Sequence, residues 1–190
     1  MAQTRSDEVQ LYQERLEKMA RATLVKAARK DYPAQGIKKG ESYYWWKFRF
    51  GGKHFSKTPP KQSQLTGSEF LSSVYAALES LEDLGKDREA AALAIRQASE
   101  DIQEAVDQVE DNLGNMPDGL QEGDTGQMMQ SRIDDGGQLA SNLEQIADDL
   151  DGLPDEEAEE GESPEDLAER LAEILEEKIQ EAQALSYEGE

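Results

Sequence analysis

At 190 residues the chain has room for one ordinary domain, or for a small domain with helical extensions. Hydrophobic residues make up only 36 % and charged residues 33 %, with a formal net charge of −22, so a small core with solvated helices is expected rather than a single large core. There is no cysteine, which removes disulfides, thiolate metal sites and a cysteine nucleophile.

Residues 1–20 hold no apolar core of signal-peptide length. No run of about 18 apolar residues occurs, so no membrane span or membrane partner is expected, and a cytoplasmic setting suits the composition. The charge is divided sharply. Residues 1–70 carry fourteen Lys and Arg against seven Asp and Glu, a net of +7, whereas residues 71–190 carry six against thirty-five, a net of −29. The first part suits a polyanion. The second is repelled by one and suits a basic surface, that of the first part included.

In residues 1–23, Val9, Tyr12, Leu16 and Met19 recur at three- and four-residue steps, which predicts an amphipathic helix over 8–22 with Ser6 as cap. Residues 24–85 read as a small basic βββα domain. The stretch "TLVKAARKDYP" either continues the helix or begins a strand, and it ends at Asp31-Tyr32-Pro33 because a residue before proline leaves the α region. A loop "AQGIKKGE" follows. "SYYWWKFRF" is the strongest strand signal, aromatic-rich and without helix formers. Alternation places Tyr44, Trp46, Phe48 and Phe50 on one face, read as a small core. Tyr43, Trp45, Lys47 and Arg49 fall on the other, read as open surface. Gly51-Gly52 is expected to be a two-residue turn with positive φ, and "KHFSKT" the returning strand, stopped by Pro59-Pro60. A helix over 67–84 follows, with Thr66 and Glu69 as a capping box, Phe70, Val74, Leu78 and Leu81 as its buried stripe, joined by Leu71, Ala77 and Leu84, and Gly85 as its close.

Residues 86–153 are expected to form an acidic helical hairpin. Ile95, Ile102, Val106, Val109 and Leu113 line one seam, and Leu139, Leu143, Ile146, Leu150 and Leu153 line the other. "GNMPDGLQEGDTG" between them reads as a flexible connector. Residues 154–163 are an acidic linker. Residues 164–190 restart a helix with Ser163 as cap, Pro164 in first position, and Leu167, Leu171, Ile174 or Leu175, and Ile179 on one face. The fold class is therefore α+β: a small antiparallel three-stranded sheet with flanking helices, then acidic amphipathic helices that close as a hairpin or bundle, or associate between chains as a coiled coil.

Little of this suggests catalysis, and no enzyme is expected. His54 is the single histidine, which leaves Ser-His arrangements almost nothing to use. It reads as a strand histidine or a phosphate neighbour. The carboxylates read as solvated helix faces. No calcium loop and no phosphate-binding Gly-rich loop occurs, and "GGK" at 51–53 opens no helix. No cofactor and no metal site is expected.

The nucleic-acid signal is clearer. Lys38, Lys39, Lys47, Arg49, Lys53, His54, Lys57 and Lys61 fall within 24 residues, interleaved with Tyr43 and Trp45. A β-ribbon can place such side chains in a DNA major groove, or stack exposed aromatics on single-stranded bases. The segments "WWKFRF", "GGKHFSKT" and "LTGSEFLSSVYAAL" resemble the small arm-type DNA-binding domain of phage integrases and its plant relative. That resemblance covers at most residues 24–84. It implies a DNA-reading sheet face carried by Lys47, Arg49, Lys53 and Lys57; if the protein is phage-encoded, its setting is the host cytoplasm. No recombinase catalytic domain follows. The order helix, three strands, helix also resembles a double-stranded RNA-binding domain, but that family's last helix opens with lysines and "TGSEFLSS" has none, which places DNA ahead of RNA. The expectation is a non-enzymatic nucleic-acid-binding or regulatory module whose acidic helices self-associate or bind a protein partner. The alternative is a structural or interaction protein, a virion component or an acidic DNA-mimic inhibitor, acting through those helices.

Overall fold

The computed structural model describes residues 20–153, 164–187 and 189. The chain divides into two compact units, Met1–Ser72 and Ser73–Glu190. The division separates the charges: fourteen basic against seven acidic residues in the first unit, six against thirty-five in the second. The fold is α+β, with one three-stranded antiparallel sheet and helices. Most of the helix expected over 8–22, with Val9, Tyr12, Leu16, Met19 and its cap Ser6, lies outside the described residues. Residues 20–22 are described and are not helical.

In the first unit the strands are β1 (Thr23–Val25), β2 (Tyr43–Lys47) and β3 (Lys53–Ser56), in the order β1-β2-β3. "TLV" is thus a strand, as its β-branched ends favour. Thr23, Leu24 and Val25 pair with Trp45, Tyr44 and Tyr43, and Tyr44, Trp45, Trp46 and Lys47 pair with Ser56, Phe55, His54 and Lys53.

This register corrects which face is core. Ala28, Ile37 and Tyr43 form a buried cluster, with Val25, Tyr32, Trp45 and Phe55 packed against it. Tyr43 and Trp45, expected on the open face, are therefore core and half-buried residues. The reason is non-local. The chain between β1 and β2 crosses over this face, turned by a 3-10 turn at Pro33–Gln35 and pinned by the Tyr32–Ile37 bridge, with Gly36 at φ 67° in the left-handed region. The rings of Tyr32, Tyr43 and Phe55 meet at centroid distances of 5.6, 5.1 and 5.9 Å, within the range of favourable aromatic pairs. On the opposite face Trp46 is buried as expected, at 4 % exposure. Phe50 is not: it lies beyond the strand and is 93 % exposed.

Two short helices follow the sheet. The first, α1 (Gln62–Leu65), replaces an expected loop. The second, α2 (Glu69–Ser80), begins later and ends earlier than the expected 67–84. Its cap is Ser68 rather than Thr66. Ser68 Oγ accepts the Leu71 N–H at 3.4 Å, and Thr66 Oγ1 accepts the Ser68 N–H at 3.2 Å, so the threonine stabilises the turn before the helix. The boundary between the units falls within α2. Phe70, Val74, Ala77 and Leu81 are buried as expected, with Tyr75 in addition, while Leu71, Leu78 and Leu84 are half-buried.

The second unit is built on α3 (Arg88–Gly114), the single turn α4 (Asp118–Gln121), α5 (Asp124–Asp151) and α6 (Pro164–Ala184). Asp87 caps α3, its carboxylate accepting the Ala90 N–H at 2.8 Å. Helices α3 and α5 pack antiparallel within the chain. Ile95, Ile102, Val106 and Val109 of α3 are buried, as are Leu139, Leu143, Ile146 and Leu150 of α5. Alanines 91, 92, 98 and 105 on α3 and 140 and 147 on α5 complete the seam. Small residues there let the backbones approach until Ser99 Oγ donates to the Ala140 carbonyl at 2.8 Å. The ends are fastened by Arg88 to the Leu153 carbonyl and by Arg96 to Asp148 and Asp151. Helix α6 runs back along α5, with Lys178 on Asp149 at 2.8 Å and Leu167, Ile179 and Ala182 buried. Ser163 and the linker 154–163 lie outside the described residues.

The expected flexible connector 114–126 is a correction: α4 and the first residues of α5 occupy most of it. Gly126 makes this turn possible, because a Cβ there would overlap the Gln121 carbonyl. Gly137, in the same helix, has open space where a Cβ would stand. Two glycines of one helix should therefore respond oppositely to alanine. Gly137→Ala should stabilise the unit by about 0.5–1 kcal/mol through helix propensity. Gly126→Ala should destabilise it by about 1–3 kcal/mol through overpacking. Urea unfolding followed by circular dichroism measures both, and two effects of the same sign would contradict the packing assigned to Gly126.

Candidate nucleic-acid interface

The candidate site grows from the end of the β2–β3 pairing. Lys47 is the last paired residue of β2 and stands opposite Lys53, the first of β3. Residues 48–52 are therefore a five-residue loop rather than a two-residue Gly-Gly turn. Neither Gly51 nor Gly52 has positive φ. The loop is instead held by the Gly51 N–H donating to the Phe48 carbonyl at 3.3 Å. Phe48 anchors it: the half-buried ring lies against Gly51 and Gly67 and meets His54 edge-on at 5.3 Å. Arg49 and Phe50 occupy the tip, the guanidinium 5.2 Å from the ring centroid, within cation–π range.

Like charges directly opposite across a strand pair are destabilising. Here Lys47 and Lys53 share a sheet face with Trp45, and Lys53 Nζ lies 4.6 Å from the centroid of that ring. Arg49 follows two residues after Lys47. Among the described residues no carboxylate pairs with Lys47, Arg49 or Lys53. The first unit has few acids to offer: across residues 20–72 eleven Lys and Arg face three Asp and Glu.

Two of those acids order the loop that carries Lys38 and Lys39. Asp31 Oδ1 accepts the Lys39 N–H at 2.6 Å and Glu41 Oε2 accepts the Lys38 N–H at 2.8 Å. Gly40, at φ 91°, lets the chain turn between them, and its N–H donates to the Ala28 carbonyl at 2.9 Å. The acids thus hold the backbone while both lysines stay exposed. Glu41 also takes Lys57 Nζ at 3.1 Å, so Lys57 is partly neutralised within the unit. The Lys38 N–H and Lys57 together hold the Glu41 carboxyl below its ordinary pKa.

The remaining expected site residues are dispersed. His54 is exposed, stacked on Trp46 at 5.5 Å and 17° and braced by Phe48, which makes it a support for the hairpin. Lys61 precedes α1, away from the hairpin tip in sequence. Tyr43 is buried. Its hydroxyl shares a hydrogen bond with Tyr32, which together with burial raises its pKa and keeps it a neutral phenol. It cannot contact a macromolecular partner from the core. The structure therefore gathers Lys47, Arg49 and Lys53 at one end of the sheet, keeps Lys38 and Lys39 on a tied loop, and withdraws Tyr43. It adds Phe50, which the sequence pattern had assigned to the core. The signal that could have found it is position: Phe50 immediately precedes Gly51-Gly52, where strand pairing and its alternation are about to fail.

No family model, curated protein or solved structure matches this chain. Among the described residues no cluster of His, Asp and Glu has the arrangement to hold a metal ion, and no helix is long and apolar enough to cross a membrane.

Two measurements check this geometry. Lys47→Glu turns a like-charge pair into an opposite-charge pair and should raise the melting temperature of the full chain by about 1–4 °C; an unchanged or lower value in a thermal melt would contradict the register. Glu41, with its pKa lowered by folding, contributes stability that is present above the ordinary glutamate value of about 4.3 and lost as the pH falls through the folded value. Glu41→Gln should therefore melt earlier than the wild type at pH 7, and the two melting temperatures should converge in acid. A gap of constant size from pH 7 to pH 3 would exclude the ionised carboxylate as its source.

Proposed function

We propose that the chain is a non-enzymatic nucleic-acid-binding module whose contact surface is the β2–β3 hairpin end of the first unit, with Lys47, Arg49 and Lys53 at its centre, while Lys38 and Lys39, on the loop tied at the other end of these strands, are more distant phosphate contacts. The observation that carries the reading is the placement of Lys47 opposite Lys53, with Arg49 on the loop they bracket and no carboxylate partner for the three among the described residues. Such a pair costs stability in the free protein, and a polyanion relieves that cost by placing phosphates between the charges. DNA stands ahead of RNA, on the resemblance of the strand and turn segments to arm-type domains. The second unit, net −29 over Ser73–Glu190, then serves self-association or a protein partner.

A second reading rests on how that unit uses its cations. Arg96 is spent on Asp148 and Asp151, Lys178 on Asp149 and Glu181, Lys86 on Glu176 and Arg88 on the Leu153 carbonyl. The outer face is left with carboxylates in excess. Such a surface suits a basic protein partner, and the chain is then a structural or interaction protein.

Fluorescence anisotropy of the full chain with labelled DNA and RNA across a salt series tests the first reading. Binding should weaken steeply with salt, and Lys47→Ala/Lys53→Ala should lower the log–log slope by about 2, at roughly 0.9 per lost phosphate contact on duplex. Absence of binding to any nucleic acid at low salt would remove this reading and leave the second.

A further inference from the structure

The hairpin tip carries a feature that phosphate binding alone does not explain. Phe48 and Phe50 are two residues apart in one loop and are used differently. Phe48 is half-buried against Gly51, Gly67 and His54 and fixes the loop to the sheet. Phe50 projects from the fixed loop at 93 % exposure. A single exposed apolar side chain is ordinary. This one stands on a braced loop, with the Arg49 guanidinium over its ring and Lys47 and Lys53 at the loop's base. An aromatic ring with one cation over it and two more at the base of its loop is complementary to a nucleobase flanked by phosphates. In a relaxed duplex the base faces are already stacked on one another and closed to such a ring. Exposed faces are found in single strands and at unstacked steps.

We propose that Phe50 is a base-stacking residue and that the hairpin tip selects single-stranded over duplex nucleic acid. The proposal rests on the nucleic-acid reading of the same surface and adds the form of the target. An anionic membrane would also attract the cations, but insertion strength scales with buried apolar area, and this loop offers one fully exposed ring. The other large exposed apolar residue described in the first unit, Leu24, is on β1 and not on the loop.

The test uses the full chain at low salt, with a labelled oligothymidylate of about 20 nucleotides, longer than the ~4–16-nucleotide sites of single-strand binders, and a duplex of equal length. The wild type should bind the single strand more tightly than the duplex. Phe50→Ala should weaken single-strand binding at least about fivefold and change duplex binding less than twofold, with an unchanged circular dichroism spectrum. Phe50→Trp should keep the affinity and show indole quenching on binding beyond that of the wild type. If Phe50→Ala binds the single strand as the wild type does, or loses both targets equally, base stacking is overturned while the nucleic-acid reading stands. If the wild type binds neither oligonucleotide, both fall together. Phe50-dependent binding to phosphatidylserine vesicles without Phe50-dependent oligonucleotide binding would assign the ring to a membrane and also overturn the proposal.

Discussion

The pairing of β2 with β3, with Trp46 opposite His54, is the interaction on which the first unit depends. A strand alternates its side chains between two faces, so one register assigns every residue of the hairpin at once. Tyr43 and Trp45 go to the face that the β1–β2 connection covers. Trp46 goes to the other, stacked by His54. Lys47 comes to face Lys53, and the pairing stops there. The form of the hairpin tip follows from that stop. The next five residues have no partner strand, and the chain uses one phenylalanine to tie them down and leaves the other in water.

The second unit solves a different problem. Six basic residues cannot neutralise thirty-five acids, so self-repulsion opposes any compact arrangement of these helices. The seam answers with close approach. Alanine alternates with Ile, Val and Leu, the α3 and α5 backbones come near enough for the Ser99–Ala140 hydrogen bond, and burial is concentrated along one line. The cations stand at the points where carboxylates of neighbouring helices crowd. Arg96 bridges two acids of α5, and Lys178 joins α6 to α5. Both guanidinium and ammonium have raised pKa values, caused by hydrogen bonds to Asp151 and Asp148 and to Asp149 and Glu181, and so stay charged.

The two units illustrate opposite uses of charge. In the acidic unit the few basic residues serve the fold. In the basic unit the few acids serve it: Asp31 and Glu41 bind the backbone of the Lys38–Lys39 loop and leave the lysine side chains exposed. In both units the minority charges that make these contacts hold the fold together, and most of the majority charges are left to solvent. Glu41 shows the limit of this division, since it also pairs with Lys57.

Local chemistry was enough to announce β2, β3 and the longer helices α2, α3, α5 and α6, while it left β1 open and missed the single turns α1 and α4. Aromatic and β-branched residues marked the strands, three-four spacing marked the helices, and counting alone separated a basic part from an acidic one. These properties are written in neighbouring residues, where propensity and periodicity act. Three features needed the assembled chain. Alternation divides Tyr43, Trp45 and Lys47 from Tyr44 and Trp46, but it is symmetric between the faces, and only the segment 28–37 folding across the sheet decided that Tyr43 is core. Alternation also holds only while a strand is paired, so the place where Lys47 meets Lys53 turned Phe50 from an expected core residue into the most exposed aromatic of the hairpin. The apolar seams of α3 and α5 fitted closure within a chain or between chains equally well. A short turn at α4, with Gly126 admitting the Gln121 carbonyl, brought the two helices back on each other, because the geometry of a turn and not the pattern of a helix fixes where its apolar face is spent.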